Sequence, residues 1–261
     1  MTTSILEASG NIIENQQFTD PVTSTFVMRT RFESSKSLAE STTILSKGLS
    51  QFSPQLHLRD FSQNKRALIM VSKESHCLRD LLYLVELGDL PITITSVSSN
   101  HSDLGDLVKA HGIPFHYIDV KPSTKSASEA ELLRLIKEEK VDLVVLARYM
   151  QILSTDVCNA MKDQIINIHH SFLPSFKGSK PYHQAHEKGV KIIGATAHFV
   201  TEKLDEGPII EQDVAHVNHA ATPEQLVSIG RDIERRVLAK AVRLYAEDRI
   251  FIVGNRTVVF Q

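Results

Sequence analysis

From Ala67 to Ala147 the chain alternates short, almost wholly apolar runs with longer amphipathic segments, and this alternation limits the fold more than any other feature. A run such as Val141-Asp-Leu-Val-Val-Leu-Ala147 has no polar face to turn to water. It suits a strand of a parallel sheet covered on both sides. The spacing predicts strands at 66–72, 91–98, 115–119 and 141–147, separated by helices at 75–87, 103–111 and 127–139. Elements in that order make a doubly wound, mainly parallel open sheet of the α/β class. Ligands of such sheets bind beyond the carboxyl ends of the strands, here the loops at 72–77, 98–102, 148–153 and 169–180.

Ahead of this alternation the pattern differs. Residues 1–9 read as the tail of a helix stopped by Gly10. Strands follow at Asn11–Phe18 and Ser24–Phe32 around an Asp20-Pro21 turn, then a helix at Ser37–Leu49 and an alternating strand at Gln55–Phe61. Ser62-Gln-Asn-Lys-Arg66 is a short polar joint. The expected organisation is a small α+β domain over 1–61, a linker over 62–66 and a larger domain over 67–261. Beyond Pro181 the pattern gives a helix to about Lys188, strands over 191–200 and 208–217, a long helix over 223–247 and a hairpin over 249–260 turning at Gly254-Asn255.

The 261 residues, 42% hydrophobic and 23% charged, suffice for one large and one small domain. A net charge of -2 with both signs interspersed offers no basic stripe for nucleic acid. No apolar run approaches the roughly 20 residues of a membrane span. Two cysteines, Cys77 and Cys158, make no disulfide framework and point to a reducing compartment. The first basic residue is Arg29, which fits neither a signal peptide nor a transit peptide. The chain as written is expected in the cytoplasm; a targeting segment lost ahead of it would leave a mitochondrion or another organelle open.

Chemistry concentrates between Ile165 and Asp205. Asn167 and His169 are two apart on an expected strand and share one face, so an amide donor and an imidazole converge on one spot. Such a pair can polarise a carbonyl and manage its proton. Gly194, Thr196 and His198 share a face of a second strand, and Asp205 sits ahead of a Gly207-Pro208 turn, where a carboxylate can orient a histidine and accept a proton from water. The plain alternatives are buried polar residues satisfied by backbone, a core histidine and a turn-forming Asp. Residue types alone do not separate Asp205 from Glu206. A metal site is disfavoured, because His183 and His186 are three apart on a helix and no clear third ligand accompanies them. The loop Val71-Ser-Lys-Glu-Ser-His-Cys77 has no glycine to bring backbone NH groups to a phosphate, although Ser72, Lys73 and Ser75 could meet some anion.

An Asn-x-His strand, a Leu-Pro-Ser-Phe-x-Gly loop, a Gly-x-Thr-x-His-x-Val strand and an Asp-x-Gly-Pro-Ile-Ile turn follow one another in this order. With these four motifs the chain resembles the formyltetrahydrofolate deformylases over essentially its whole length, and its α/β part resembles the wider formyltransferase family that includes glycinamide ribonucleotide formyltransferase. The resemblance implies a formyltransferase-like catalytic domain preceded by a small regulatory ACT-like domain. That ACT-like domain is incomplete, lacking its first strand and much of its first helix. It implies hydrolysis of 10-formyltetrahydrofolate to tetrahydrofolate and formate in one-carbon and purine metabolism, with catalytic Asn167, His169 and Asp205. The folate would be bound by Arg148, Tyr149, Met150, Gln151 and Leu153, together with Thr196, His198 and Leu204. No metal and no cofactor beyond the folate substrate is implied, and the expected assembly is a homo-oligomer that the incomplete domain could impair. His-His-Ser in place of the transferases' His-Pro-Ser, the glycine-poor first loop and the ACT-like half favour water as the formyl acceptor. Transfer to an amine acceptor is the enzymatic alternative, and a non-catalytic folate- or amino-acid-responsive regulator is the alternative of another class.

Overall fold

The computed structural model describes residues 1–174 and 181–261. Ser175, Phe176 and Gly178 of the expected Leu-Pro-Ser-Phe-x-Gly loop therefore lie outside the described residues. By contact the chain divides into two compact units, Met1–Gln63 with Val258–Gln261, and Asn64–Thr257.

The first unit holds α1 (Thr2–Glu7), β1 (Gly10–Thr19), β2 (Phe26–Ser34) and α2 (Leu38–Leu49). β1 and β2 form an antiparallel pair, and Asp20 organises their turn by accepting from Thr23 Oγ1 at 2.8 Å. Ser37 and Glu40 close a reciprocal capping box at the start of α2. Ser9 rather than Gly10 takes the left-handed position after α1, with φ 53°. Gly10 instead opens β1. The strand expected at Gln55–Phe61 does not form. The β1–β2 sheet has two strands and offers this segment no ladder, and alternation without a hydrogen-bonded neighbour does not make a strand.

The second unit begins with β3 (Lys65–Val71), α3 (His76–Glu86), β4 (Ile92–Ser99), α4 (Gly105–Ala110), β5 (Phe115–Tyr117), α5 (Lys125–Glu138) and β6 (Leu143–Leu146). It continues through α6 (Thr155–Ala160), β7 (Ile165–His169), α7 (Pro181–Glu187), β8 (Ile192–Phe199), β9 (Ile209–His216) and α8 (Pro223–Ala246). A last hairpin pairs β10 (Ile250–Val253) with β11 (Arg256–Val259). Among the described residues seven strands form one sheet in the order β5-β4-β3-β6-β7-β8-β9. β5 through β7 run parallel, and β8 and β9 each run antiparallel to their predecessor.

The apolar runs lie where their composition requires. Ala67 to Val71 of β3 and Leu143 to Leu146 of β6 are buried at the centre of the sheet. α8 covers it with a stripe of Leu226, Ile233, Val237, Leu238, Ala241 and Val242 at three- and four-residue spacing. α6 has no counterpart in the expected elements. It is six residues long, and Ser154, whose side chain accepts from Val157 N, is its main local signal.

Candidate active site

β7 lies where the parallel and antiparallel parts of the sheet meet. Asn167 stands between Leu146 of β6 and His198 of β8, and His169 stands opposite Thr196. Strand alternation puts these four polar side chains on one face. Asn167 is the one residue of β7 that is not fully buried, which makes it the opening in an otherwise closed strand.

His198 is fixed from both nitrogens. Its Nδ1 lies 2.8 Å from the Phe199 carbonyl, which can only accept, so the ring carries its proton there. The neutral ring then accepts at Nε2 from Asn167 Nδ2 at 3.2 Å. This contact uses one N–H of the Asn167 amide and leaves the second for an outside carbonyl oxygen. Asp205 Oδ1 lies 3.6 Å from the same Nε2, a distance at which a hydrogen bond requires the protonated ring.

Asp205 follows β8 in a left-handed conformation, φ 56°, which Asp tolerates better than most residues. Its Oδ1 lies 3.3 Å from His169 Nδ1. The hydrogen bond from His169 and then the nearness of the His198 ring hold its carboxyl well below the ordinary carboxylate range, against the opposing effect of burial. The choice between Asp205 and Glu206, open from the sequence, is made here by geometry: Asp205 meets both imidazoles. Gly207 allows this approach. A Cβ there would lie 1.8 Å from the Phe199 carbonyl oxygen, so the loop can return to the end of β8 only without a side chain. Its role is close approach rather than the flexible turn expected of it.

With Nδ1 turned to Asp205, His169 has Nε2 buried and without a hydrogen-bond partner among the described residues. The residue is 6% exposed. An orphaned ring nitrogen next to an amide with an N–H to spare is a pair that a carbonyl oxygen would satisfy.

The loop after β6 splits into three directions. Tyr149 and Leu153 pack on the core around β6 and α6, and burial pushes the Tyr149 phenol up to about 12. These two and Gln151 line a shallow depression open to solvent, whose other walls include Met70, Ser98 and Leu132. Met150 and Ile152 face outward, as does Leu204 in the loop after β8, all more than half exposed. Ser72 pins the loop, accepting from Met150 N at 3.0 Å while donating to Asn100 Oδ1 at 2.7 Å. Buried and so engaged, Ser72 does not present itself to an anion. Arg148 turns away from the others, with φ 65° and its Nε 3.5 Å from Glu234 of α8.

Thr196 does not open to the crevice. Fully buried, it donates to the Ser171 carbonyl and accepts from Leu173 N and Gln212 Nε2, which anchors the chain leaving β7.

Glu234 was not among the candidate residues of the sequence, nor were His76, Tyr182 and His170 as members of a cluster. Glu234 is 1% exposed. His76 Nε2 lies 2.7 Å from its Oε2, and Tyr182 Oη donates to its Oε1 at 2.6 Å. Burial alone would raise its carboxyl, but the His76 hydrogen bond, the Arg148 charge and the Tyr182 hydrogen bond bring it below the ordinary value. Its signal in the sequence is its phase, since it continues the apolar stripe of Gly230, Ile233, Val237 and Leu238.

His76, Cys77 and Glu234 have ligand atoms within 4.8 Å of one another. The charge balance speaks against a cation there. The Glu234 carboxylate is already shared by two hydrogen bonds and the Arg148 guanidinium, and burial and then Glu234 push the Cys77 thiol up, away from the thiolate a metal needs. His183 and His186 of α7 are exposed.

Residues 65–242 match the formyl transferase family. The chain is 53% identical to a formyltetrahydrofolate deformylase from Corynebacterium sp., over 81% of this chain and 74% of that relative. A formyltetrahydrofolate deformylase crystal structure from Pseudomonas syringae is similar with a TM-score of 0.97 at 44% identity, covering 100% of this chain and 88% of that one. A glycinamide ribonucleotide transformylase from Symbiobacterium toebii is similar with a TM-score of 0.72 at 31% identity, over 80% and 99% of the two chains.

Proposed function

This chain belongs to the formyltetrahydrofolate deformylases, within the formyl transferase family, and from that premise we infer that Asn167, His169 and Asp205 carry its reaction. It is a hydrolase, and the reaction is the hydrolysis of 10-formyltetrahydrofolate to tetrahydrofolate and formate.

The observation that carries the residue assignment is the orphaned Nε2 of His169 beside the Asn167 amide, with the Asp205 carboxylate on its other nitrogen. The formyl oxygen would accept from Asn167 Nδ2–H and His169 Nε2–H. Water adds to the formyl carbon and gives a proton to Asp205, which the depressed carboxyl keeps ionised and ready. The oxyanion that forms at the formyl oxygen is held by the two donors, with the imidazolium form of His169 adding its charge. His169 then passes a proton to the folate nitrogen, the carbon–nitrogen bond breaks, and formic acid leaves and ionises. The proton on Asp205 can return to His169 through the 3.3 Å contact.

The pterin is assigned to the crevice between the loops 148–153 and 201–205. The exposed Met150, Ile152 and Leu204 support this placement, since they offer apolar surface on these two loops. As part of the same proposal, the reaction uses no metal and no cofactor beyond its folate substrate. Residues 1–61 act as an ACT-like unit joined through 62–66 to a catalytic domain at 67–261, and the protein works as a homo-oligomer in the cytoplasm. No helix of the described residues is long and apolar enough to cross a membrane.

The test is formate release from 10-formyltetrahydrofolate by the purified 261-residue chain with no amine present. Release at the rate of folate deformylation is expected. Turnover only after an amine acceptor is added would instead favour formyl transfer.

A further inference from the structure

Glu234 lies outside the catalytic constellation, yet its surroundings connect to it. Four separate segments converge on its carboxylate: His76 at the start of α3, Arg148 after β6, Tyr182 in α7 and Glu234 itself in α8. The helix makes room for this. At Gly230, one turn earlier on the same face, a Cβ would lie 2.1 Å from Tyr182 Cζ, so the ring reaches Glu234 only because that position has no side chain. A glycine in a helix interior is less favourable than alanine, and here it is accepted for a contact to a buried charge.

Arg148 is the link to the catalytic pair. It leaves β6 one strand away from Asn167, since Leu146 and Asn167 are register partners. Its Nε and Nη1 are buried and without hydrogen-bond partners among the described residues, and the carboxylate of Glu234 lies 3.5 Å from Nε. His170 feels both clusters. Its ring centroid is 5.2 Å from that of His169, and the charges acting on it are those of Arg148, His169, Glu234 and Asp205.

We propose that Glu234 is a positioning residue for deformylation: held by His76 and Tyr182, its carboxylate balances the Arg148 charge beside His170 and so lets positive charge develop on His169. The proposal rests on the reading of His169 as the proton donor. The charged and titratable groups around the His169–His170 pair are Asp205 and His198, which meet on the β8 side, and Arg148 and Glu234, which act on His170, with His76 held on Glu234. Burial, then Arg148 and His169, hold His170 down to about 4, so it stays neutral while the reaction runs and adds no competing charge.

Opposite charge changes give the test. kcat is measured against pH, by formate release from saturating 10-formyltetrahydrofolate, for the full chain and for Glu234→Gln, Arg148→Met, the double variant and Tyr182→Phe. The readout is the position of the alkaline fall in kcat, because the mechanism spends a proton carried by His169. Glu234→Gln leaves Arg148 unbalanced and should move that fall about one pH unit lower. Arg148→Met should move it upward, and the double variant, with both charges gone, should return it near its original position whatever its absolute rate. Tyr182→Phe keeps the charge and should leave the fall in place. A role in folding alone would make the double variant no better than either single one. An unmoved fall in both single variants, a double variant that stays shifted, or a Tyr182→Phe shift as large as that of Glu234→Gln would overturn the proposal. The two readings fail differently: an active wild type with unmoved variants defeats this proposal alone, and a wild type that releases no formate defeats the hydrolytic reading and the proposal with it.

Discussion

At the carboxyl ends of the strands, Asn167, His169, His198 and Asp205 come from two neighbouring strands and the loop that follows, whereas His76, Arg148, Tyr182 and Glu234 come from four segments far apart in the chain. Among the described residues both clusters leave buried nitrogens without hydrogen-bond partners, His169 Nε2 in the first and His76 Nδ1 with two Arg148 nitrogens in the second, but only in the first does the nitrogen stand beside an amide with an N–H to spare. In the second the central carboxylate has two short hydrogen bonds and an ion pair. A buried polar group with open capacity is costly unless something arrives to fill it, while a saturated one stabilises the structure that surrounds it. Buried polar clusters a few side chains apart can therefore serve different ends, one poised for a guest and one holding the charge balance around it.

The largest expected effect that tests this contrast is at Asp205. Asp205→Asn keeps the shape but removes the charge that orients and supports His169, and kcat is expected to fall about 10²- to 10⁴-fold with little change in melting temperature. A variant that loses stability but keeps its rate would move Asp205 into the structural class. Next comes Gly207→Ala. The added Cβ meets the backbone oxygen of Phe199, so the loop must shift and carry Asp205 away from the imidazoles. A loss of about 3 kcal/mol of stability and on the order of a hundred-fold in kcat is expected from urea unfolding and steady-state kinetics.

The smallest effect concerns His170. Its folded value of about 4 lies below the ordinary 6.5. The unfolded chain therefore binds a proton as pH drops through about 6.5 and the folded chain does not until about 4. Stability contributed by the neutral ring is full above that window and is lost as pH falls across it. Between pH 6.5 and 5 this amounts to at most about 2 kcal/mol. His170→Asn should reduce the drop in urea midpoint over that interval, and an identical drop in both proteins would remove His170 from the acid response.

Much of the second unit is legible from local pattern. The near-continuous apolar runs of β3 and β6 could be little else than central strands, and the two-residue spacing of Asn167 and His169 puts them on one face whatever the neighbours are. The pairing of Asn167 with His198 is less legible, because it depends on a register between strands separated by 31 positions. Thr196 shows the limit of phase as a guide. It shares the polar face, yet its partners are Ser171, Leu173 and Gln212, so the face alone does not distinguish a ligand contact from an internal anchor. Gln55–Phe61 alternates without forming a strand, since strand formation is a property of pairs. Glu234 is the most instructive omission. Flanked by Asp232, Arg235 and Arg236 it reads as one more surface charge, and only its place in the apolar stripe of α8 separates it from them.

The central claim is that the open capacity of Asn167 and His169 is filled by the formyl oxygen as it becomes an oxyanion. Single-turnover formate release from bound 10-formyltetrahydrofolate by Asn167→Ala and His169→Ala, with folate affinity measured in parallel, tests it most directly. The account predicts folate binding within a few-fold of wild type and a rate lower by about a hundred- to a thousand-fold in each, the loss typical of a missing oxyanion donor. Full turnover in either variant, or a loss confined to binding, would contradict it.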